Sequence, residues 1–163
     1  MSVKRLPAYV FSMDNVTNVA TPNNYLSIFN PVGNPHSVII TGVFVSATLL
    51  TSSSITASLR GWRISAASGG TLRDPDTFSK AQTHFPDATA EVRTGNPTCT
   101  LATALFNSPS PTADKANWVH EVGVGSLASP FVAMPGEGIV LRSEAGIGVG
   151  ATWNMSIVWA EGP

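Results

Sequence analysis

Few residues in this chain have the types and spacing that acid–base or metal chemistry requires. The 163-residue sequence holds three histidines, His36, His84 and His120, which lie far apart. None belongs to a HExxH, HxH or Cys/His spacing of the kind that places ligands around zinc. Cys99 is the single cysteine, so no intrachain disulfide can form, and a buried small apolar residue is favoured over a reactive thiol. We therefore expect no metal, no cofactor and no redox chemistry.

His120 and Glu121, next to Trp118, form a local grouping that could act as an acid–base pair. Neighbouring residues of a strand point to opposite faces of the sheet, which works against their meeting in one pocket. No GxSxG sequence marks a nucleophilic serine. The glycine-rich run 146–150 lacks the following helix of a phosphate-binding loop and is typical of a hairpin connection. The sequence predicts no catalytic residue, and we expect that the chain is not an enzyme.

Asp74 and Asp76 place two carboxylates two residues apart in one loop, where they could bind calcium if further oxygen ligands converged. A solvated turn is the favoured interpretation. The sequence has no EF-hand spacing, and aspartate in a turn is stabilised by hydrogen bonds to the nearby backbone. Asp87 and Glu91 cannot be positioned from the sequence well enough to complete such a site. No metal-binding or cofactor-binding residue is predicted.

The four tryptophans could stack on sugar rings or belong to the hydrophobic core. One face of an alternating C-terminal run holds four large apolar side chains, those of Trp153, Met155, Ile157 and Trp159. This period of two predicts a central strand with both tryptophans in the core. Trp62 and Trp118 are the candidates for a sugar-binding platform, which would require both to be exposed on a concave sheet face.

The elements that position these residues are predicted to be strands. Only 12% of the residues are charged, and short apolar runs alternate with clusters of Gly, Pro, Asn and Ser. This pattern is typical of a sandwich or barrel. We expect one all-β domain, a jelly-roll-like β-sandwich of about eight or nine antiparallel strands. Two long surface loops, Ala66–Asp87 and Asn107–Asn117, are expected to provide contacts with a partner.

Several local features of the strands are predicted as well. The turn formers between Tyr25–Asn30 and Ser37–Thr48 indicate a hairpin. The alternation of residues 55–64 shifts parity at Gly61, which predicts a β-bulge there. Pro135–Gly138 fits a type II turn before a strand Ile139–Ser143, which we expect to form a final hairpin with the C-terminal strand.

The charge of the chain excludes several classes of partner. The formal net charge is −1, which provides no general attraction to phosphate backbones, so nucleic acid is not expected as a partner. No signal peptide and no apolar stretch of about 20 residues is present, so we expect no membrane insertion and a soluble product. Six of the nine basic residues lie in the first half and seven of the ten acidic residues in the second, which would suit complementary surfaces in a ring.

Most of residues 25–161 resemble small structural proteins of tailed bacteriophages, including capsid decoration or cement proteins. The resemblance is carried by YLSIFNP, VIITGVFVS, LRGWRISAASGGT, AEVRTG, SPFVAMPGEGIVLRSEAG and TWNMSIVWAE. Its most distinctive pieces are Asn30–Pro31, Ala67–Thr71 and Pro135–Leu141. It implies a β-sandwich that assembles as a homotrimer on the outside of a phage head and bridges major capsid subunits. A head-fibre, tail or baseplate component and a carbohydrate- or receptor-binding module are the alternatives.

Residues 1–24 lie outside that resemblance. We expect an N-terminal arm or edge strand, followed by the sandwich domain over residues 25–163. Chain termini are poorly ordered unless something ties them down. Met13–Asn24 is therefore predicted to become ordered by adding to a sheet edge of a neighbouring subunit or to the capsid surface.

Overall fold

The computed structural model describes residues 6–17, 19, 22–49, 59–107, 130–144 and 151–163 of the chain. Within these residues it has eleven β-strands and one 3-10 turn, Pro75–Thr77, that follows the capping residue Asp74. The strands are β1 (Ala8–Thr17), β2 (Asn23–Phe29), β3 (Ser37–Leu49), β4 (Leu59–Ser68), β5 (Thr71–Leu72), β6 (Ser79–Lys80), β7 (Glu91–Thr94), β8 (Thr98–Asn107), β9 (Phe131–Ala133), β10 (Gly138–Ser143) and β11 (Ala151–Gly162).

The strands form two antiparallel sheets that pack face to face, which confirms the predicted all-β sandwich. One sheet has the order β6-β1-β11-β3-β9 and the other the order β5-β7-β2-β10-β4-β8. The sequence predicts eight or nine strands because β5, β6 and β9 span only two or three residues. Such short segments are too brief to show an alternating pattern.

The C-terminal strand β11 lies centrally in the five-stranded sheet, between β1 and β3, as its alternation predicts. Trp153 and Trp159 are both 0% exposed, and Met155 and Ile157 between them are also buried. Their partners across the sheet continue the same core face: Met155 pairs with Val45, and Trp159 with Tyr9. The interpretation of both tryptophans as core residues is confirmed.

Both predicted hairpins are wrong, because in each case the chain crosses from one sheet to the other. The strand β2 belongs to the six-stranded sheet and β3 to the five-stranded one, and β10 and β11 are divided in the same way. Turn-forming residues specify that the chain reverses direction. They do not specify that the two flanking strands pair with each other, and here each strand pairs with a distant segment.

The turns themselves form as predicted. Gly136 has φ +88° and the amide of Glu137 donates to the carbonyl of Met134 (2.9 Å), as a type II turn requires. Fully buried Asn30 fastens this turn to the first crossing. Its backbone exchanges hydrogen bonds with Gly136 and Glu137, and its side-chain amide donates to the carbonyls of His36 and Ala133 (2.9 Å each).

The predicted β-bulge at Gly61 is confirmed by a register shift between Gly61 and Trp62 in the pairing of β4 with β8. The phenyl ring of Phe106 lies against Gly61, and a Cβ atom at that position would come within 2.2 Å of the ring. A residue with a Cβ atom at position 61 would therefore require the ring of Phe106 to move.

The segment predicted as a long loop, Ala66–Asp87, begins inside a strand. The ladder of β4 with β8 ends at Ser68 opposite Thr98, and the same two chain segments then continue as β5 and β7, where Thr71 pairs with Thr94. They form one long hairpin, which bends between these two pairs at residues 69–70 and 95–97. We call this bend the corner.

The corner carries the hairpin from one edge of the six-stranded sheet to the other, across the outer face of β2. Two pairs of adjacent bend residues have positive φ, Gly69 with Gly70 and Gly95 with Asn96. The side-chain amide of Asn24 in β2 donates to the carbonyl of Pro97 (2.8 Å), and Arg93 donates to that of Gly69 (3.1 Å). Ser27, Ile64 and Val140 are 0% exposed, although Ile64 and Val140 lie outside the main core cluster. The six-stranded sheet is therefore covered on both faces.

The N-terminal segment, expected as an arm or edge strand, contains β1. This strand pairs with β11 from Ala8 opposite Ala160 to Thr17 opposite Thr152, and on its other side with the short β6. The prediction that Met13–Asn24 pairs with a neighbouring subunit does not hold for residues 13–17, because those residues pair within their own chain. Tyr9, Phe11 and Met13 belong to the core or pack against it. Their alternating pattern is hard to recognise in the sequence because the segment contains many polar residues.

Candidate functional site

Two surfaces of the described chain are candidates for contact with other molecules. One is the side of the five-stranded sheet that points away from the core, here called the outer face. Register places on it Ala8, Val10, Ser12, Ile39, Gly42, Phe44, Ser46, Val132, Asn154, Ser156, Val158 and Ala160. All of these residues are uncharged, and Asp14 lies at the margin, where the register of β1 shifts.

The polar groups of the outer face largely satisfy one another. The hydroxyls of Ser12 and Ser156 form a hydrogen bond across the strands (2.8 Å), and the side-chain amide of Asn154 donates to the hydroxyl of Ser46 (3.4 Å). A shallow groove of about 110 Å³ runs between Phe44 and these polar residues. Since few hydrogen bonds remain to be lost on covering it, the outer face suits contact with another protein.

The second candidate is a pocket of about 530 Å³ where β1 begins, β11 ends and the loop 81–90 passes. Apolar walls predominate, and two histidines and two carboxylates are also present. The lining residues are Leu6, Pro7, Tyr9, His36, His84, Phe85, Pro86, Asp87, Thr89, Glu161, Gly162 and Pro163. The fold thus brings His36 and His84 to one place although the sequence separates them. His120, Glu121 and Trp118 lie outside the described residues.

A buried carboxylate, that of Glu161, fixes one wall of this pocket. Glu161 is 5% exposed and accepts hydrogen bonds from the amides of Thr89 and Ala90 (2.9 Å each at the shortest), the hydroxyl of Thr89 (2.6 Å) and the indole of Trp159 (3.2 Å). Four uncharged donors thereby stabilise its negative charge in a desolvated position. The contacts also fasten the loop to β11.

Tyr9 forms the floor beside Glu161. Its ring stacks on Trp159 with centroids 5.5 Å apart, and its hydroxyl donates to the carbonyl of Pro86 (2.9 Å). Burial raises the pKa of Tyr9 to about 12, and the charges of Glu161 and Asp87 act in the same direction. Two carboxylates, Glu161 and Asp87, therefore lie near the floor of the pocket.

This pKa predicts that the protein loses stability in alkali. Because the pKa of Tyr9 is raised from 10.0 in the unfolded chain to about 12 in the fold, the stabilisation is complete below pH 10 and is lost as the pH rises towards 12. Urea unfolding between pH 9 and 12 should show a steeper decline for the wild type than for Tyr9→Phe. Parallel curves for the two proteins would contradict the prediction.

The carboxylates of the loop lie next to one another, as the calcium interpretation requires, but their partners are within the protein. Asp87 forms an ion pair with Lys80 and a hydrogen bond with Asp76. The hydrogen bond from Lys80 lowers the pKa of Asp87, and the hydrogen bond with Asp87, together with its charge, raises the pKa of Asp76. Asp74 caps the 3-10 turn through the amide of Asp76 (3.1 Å), which is the turn role expected from sequence.

Glu91 lies apart from this group and pairs with Arg93 (2.8 Å). Nowhere in the described ranges do three His, Cys, Asp or Glu side chains come together in a way that could hold a metal ion.

Trp62 and Cys99 lie in the six-stranded sheet, away from both candidate surfaces. The indole of Trp62 donates to the carboxylate of Glu144 (3.0 Å), and the guanidinium of Arg60 lies 5.8 Å from its ring centre. This half-buried ring is therefore occupied by neighbours on one side. Cys99 is also half-buried, and burial raises the pKa of its thiol, which disfavours the reactive thiolate.

Comparison with protein families, with characterised proteins and with solved structures finds no match to this chain. Among the residues that the structure describes, no helix is long and apolar enough to cross a membrane.

Proposed function

We propose that this chain is a non-enzymatic structural protein of a virion, a decoration protein that binds the outside of a tailed-phage head. The proposal joins two lines of support. The sequence resembles small phage structural proteins over most of residues 25–161. The observation that carries it in the structure is the uncharged outer face, a surface suited to packing against copies of the chain or against capsid subunits.

The size of the outer face fits a role in self-association. About seven residues of each of the three long strands β1, β11 and β3, at about 4.8 Å between strands and about 3.4 Å per residue, cover roughly 340 Å² in plan. An interface of standard size buries about 800 Å² on each partner and is depleted in charge at its centre. The outer face provides the apolar centre of such an interface, and the residues around it provide the rim. We propose a homotrimer, in which this face of one copy meets another copy.

Light scattering of the purified protein tests the assembly. We expect a mass three times that of the 17.0 kDa chain. Val158→Lys places a charge at the middle of the outer face, opposite Gly42 and Val10, and is expected to shift the protein to monomers with an unchanged circular dichroism spectrum. Val32→Lys is the matched control, since Val32 is 84% exposed in a turn away from this face. A monomeric wild type at high concentration would count against the trimer.

Capsid binding needs a separate experiment. The purified chain is mixed with heads of the phage that encodes it, prepared from a mutant lacking the gene, and the heads are sedimented and imaged by electron microscopy. We expect the chain to sediment with the heads and to appear as outer density over contacts between major capsid subunits. A chain that stays in the supernatant, or that appears only on tails, would contradict the decoration role.

A further inference from the structure

The pocket beside Glu161 has the features of a binding site for a cation. We infer that it accepts a lysine or arginine side chain presented by a partner protein. The inference goes beyond the proposed virion role and does not depend on it, because it rests on the charge, the walls and the openness of this one pocket.

The pocket beside Glu161 carries negative charge. Among the residues that the structure describes, twelve line the pocket, and they include two carboxylates, Asp87 and Glu161, and neither lysine nor arginine. The four groups that bond Glu161 are uncharged amide, hydroxyl and indole donors, so they stabilise its negative charge without neutralising it. Asp87 is paired with Lys80, so the unbalanced negative charge of the pocket is that of Glu161. An anionic ligand would be repelled here, and a cation is attracted.

The walls of the pocket provide aromatic and apolar contacts for a lysine or arginine side chain. Phe85 and His84 lie together with ring centres 5.0 Å apart, and Tyr9 forms the floor. An ammonium or guanidinium group over an aromatic face gains about 0.5 to 2 kcal/mol, depending on its exposure. Leu6 and Pro163 line the same pocket and provide apolar surface for the methylene stem, as snorkelling lysine and arginine side chains require.

The openness of the pocket favours a side chain on a partner over a separate small molecule. Sites for small ligands bury about 70 to 90% of the ligand. Here seven of the twelve lining residues are exposed: Leu6, His36, His84, Pro86, Asp87, Thr89 and Pro163. A wide mouth of this kind suits a side chain that a partner surface holds in place, whose backbone supplies the remaining contacts.

Titration with short peptides, followed by nuclear magnetic resonance, tests the inference. The probe is the acetylated and amidated peptide Gly-Gly-Arg-Gly-Gly, and the control peptide carries uncharged citrulline in place of arginine. The reporters are the indole N–H of Trp159 and the amides of Thr89 and Ala90, all bonded to Glu161. We expect saturable shifts with the arginine peptide at millimolar concentration and at least tenfold weaker binding of the citrulline peptide.

Asp87→Asn is the informative variant because its side chain is 55% exposed, whereas replacing Glu161 would also loosen the loop from β11. We expect it to weaken binding several-fold, since it removes one carboxylate and leaves Lys80 without that partner. Asp14→Asn, at the far end of β1, is the matched control and should bind as the wild type does.

Three results would overturn the inference. The first two are equal shifts with the arginine and citrulline peptides, and shifts that do not saturate. The third is binding of butylguanidinium as tight as that of the peptide, which would assign the pocket to a small free guanidinium compound and not to a partner side chain. None of these outcomes bears on trimer formation or capsid binding, which are measured separately.

Discussion

Replacing Trp159 by alanine is expected to lower the free energy of unfolding by about 3 to 5 kcal/mol, the range for truncating a large buried aromatic residue. Three kinds of contact are lost together. The indole is 0% exposed, it packs against the rings of Tyr9 and Phe78 (centroids 5.5 and 5.4 Å away), and it donates to Glu161. The buried carboxylate of Glu161 then has one hydrogen-bond donor fewer, which adds to the cost of the cavity.

Urea unfolding followed by circular dichroism measures this loss, with Val158→Ala as the control. Val158 is the preceding residue of β11 but lies on the outer face, half-buried, so its truncation is expected to cost about 1 kcal/mol or less. An unchanged melting curve for Trp159→Ala, combined with loss of sugar binding, would move this tryptophan from the core to a carbohydrate site.

Deleting residues 2–20 is expected to abolish folding. The deletion removes β1, which pairs with β11 from Ala8 to Thr17 and contributes Tyr9, Phe11 and Met13 to the core or its margin. Without β1, the backbone hydrogen-bonding groups along one edge of β11 and the core residues that β1 covers are exposed to water. Buried apolar surface contributes about 25 cal/mol per Å² to stability. We expect the contribution lost with β1 to exceed the small free energy of unfolding of a domain of this size.

A complementation experiment separates this structural role from an external arm. The truncated chain should give the circular dichroism spectrum of an unfolded protein, and an excess of a synthetic peptide spanning residues 6–20 should restore the β-sheet spectrum. A truncated chain that folds alone, but no longer trimerises or binds phage heads, would instead assign β1 to contacts between subunits.

The sequence predicts the fold class because the alternation of apolar and polar residues in a strand is visible within a single segment. Trp153, Met155, Ile157 and Trp159 repeat with a period of two, and this pattern needs no knowledge of the rest of the chain. Pairing is different, since Tyr25–Asn30 and Ser37–Thr48 carry turn signals that fit a hairpin and a crossing between sheets equally well. Which of the two forms depends on distant partners such as β10 and β11.

Only one residue of the candidate pocket, Glu161, could have been predicted from the sequence. The alternation that buries Trp159 continues to Glu161, so the sequence already places a carboxylate on the core face of β11. Such a residue needs several donors, and this signal would have identified Glu161. The rest of the pocket comes from three other segments, around Tyr9, His36 and Phe85, which only the three-dimensional structure brings together.

The pairing of β1 with β11 also sets the order of events during synthesis. These strands are the first and last of the described chain, and the partner of Tyr9 is Trp159, 150 residues later. At about 5 to 20 residues per second, the ribosome releases the second strand many seconds after the first. The five-stranded sheet therefore closes only after β11 has been synthesised, and until then β1 lacks its main partner strand. Such late, long-range pairing makes folding slow and favours aggregation at high expression. We therefore expect slower synthesis at low temperature to raise the yield of folded protein.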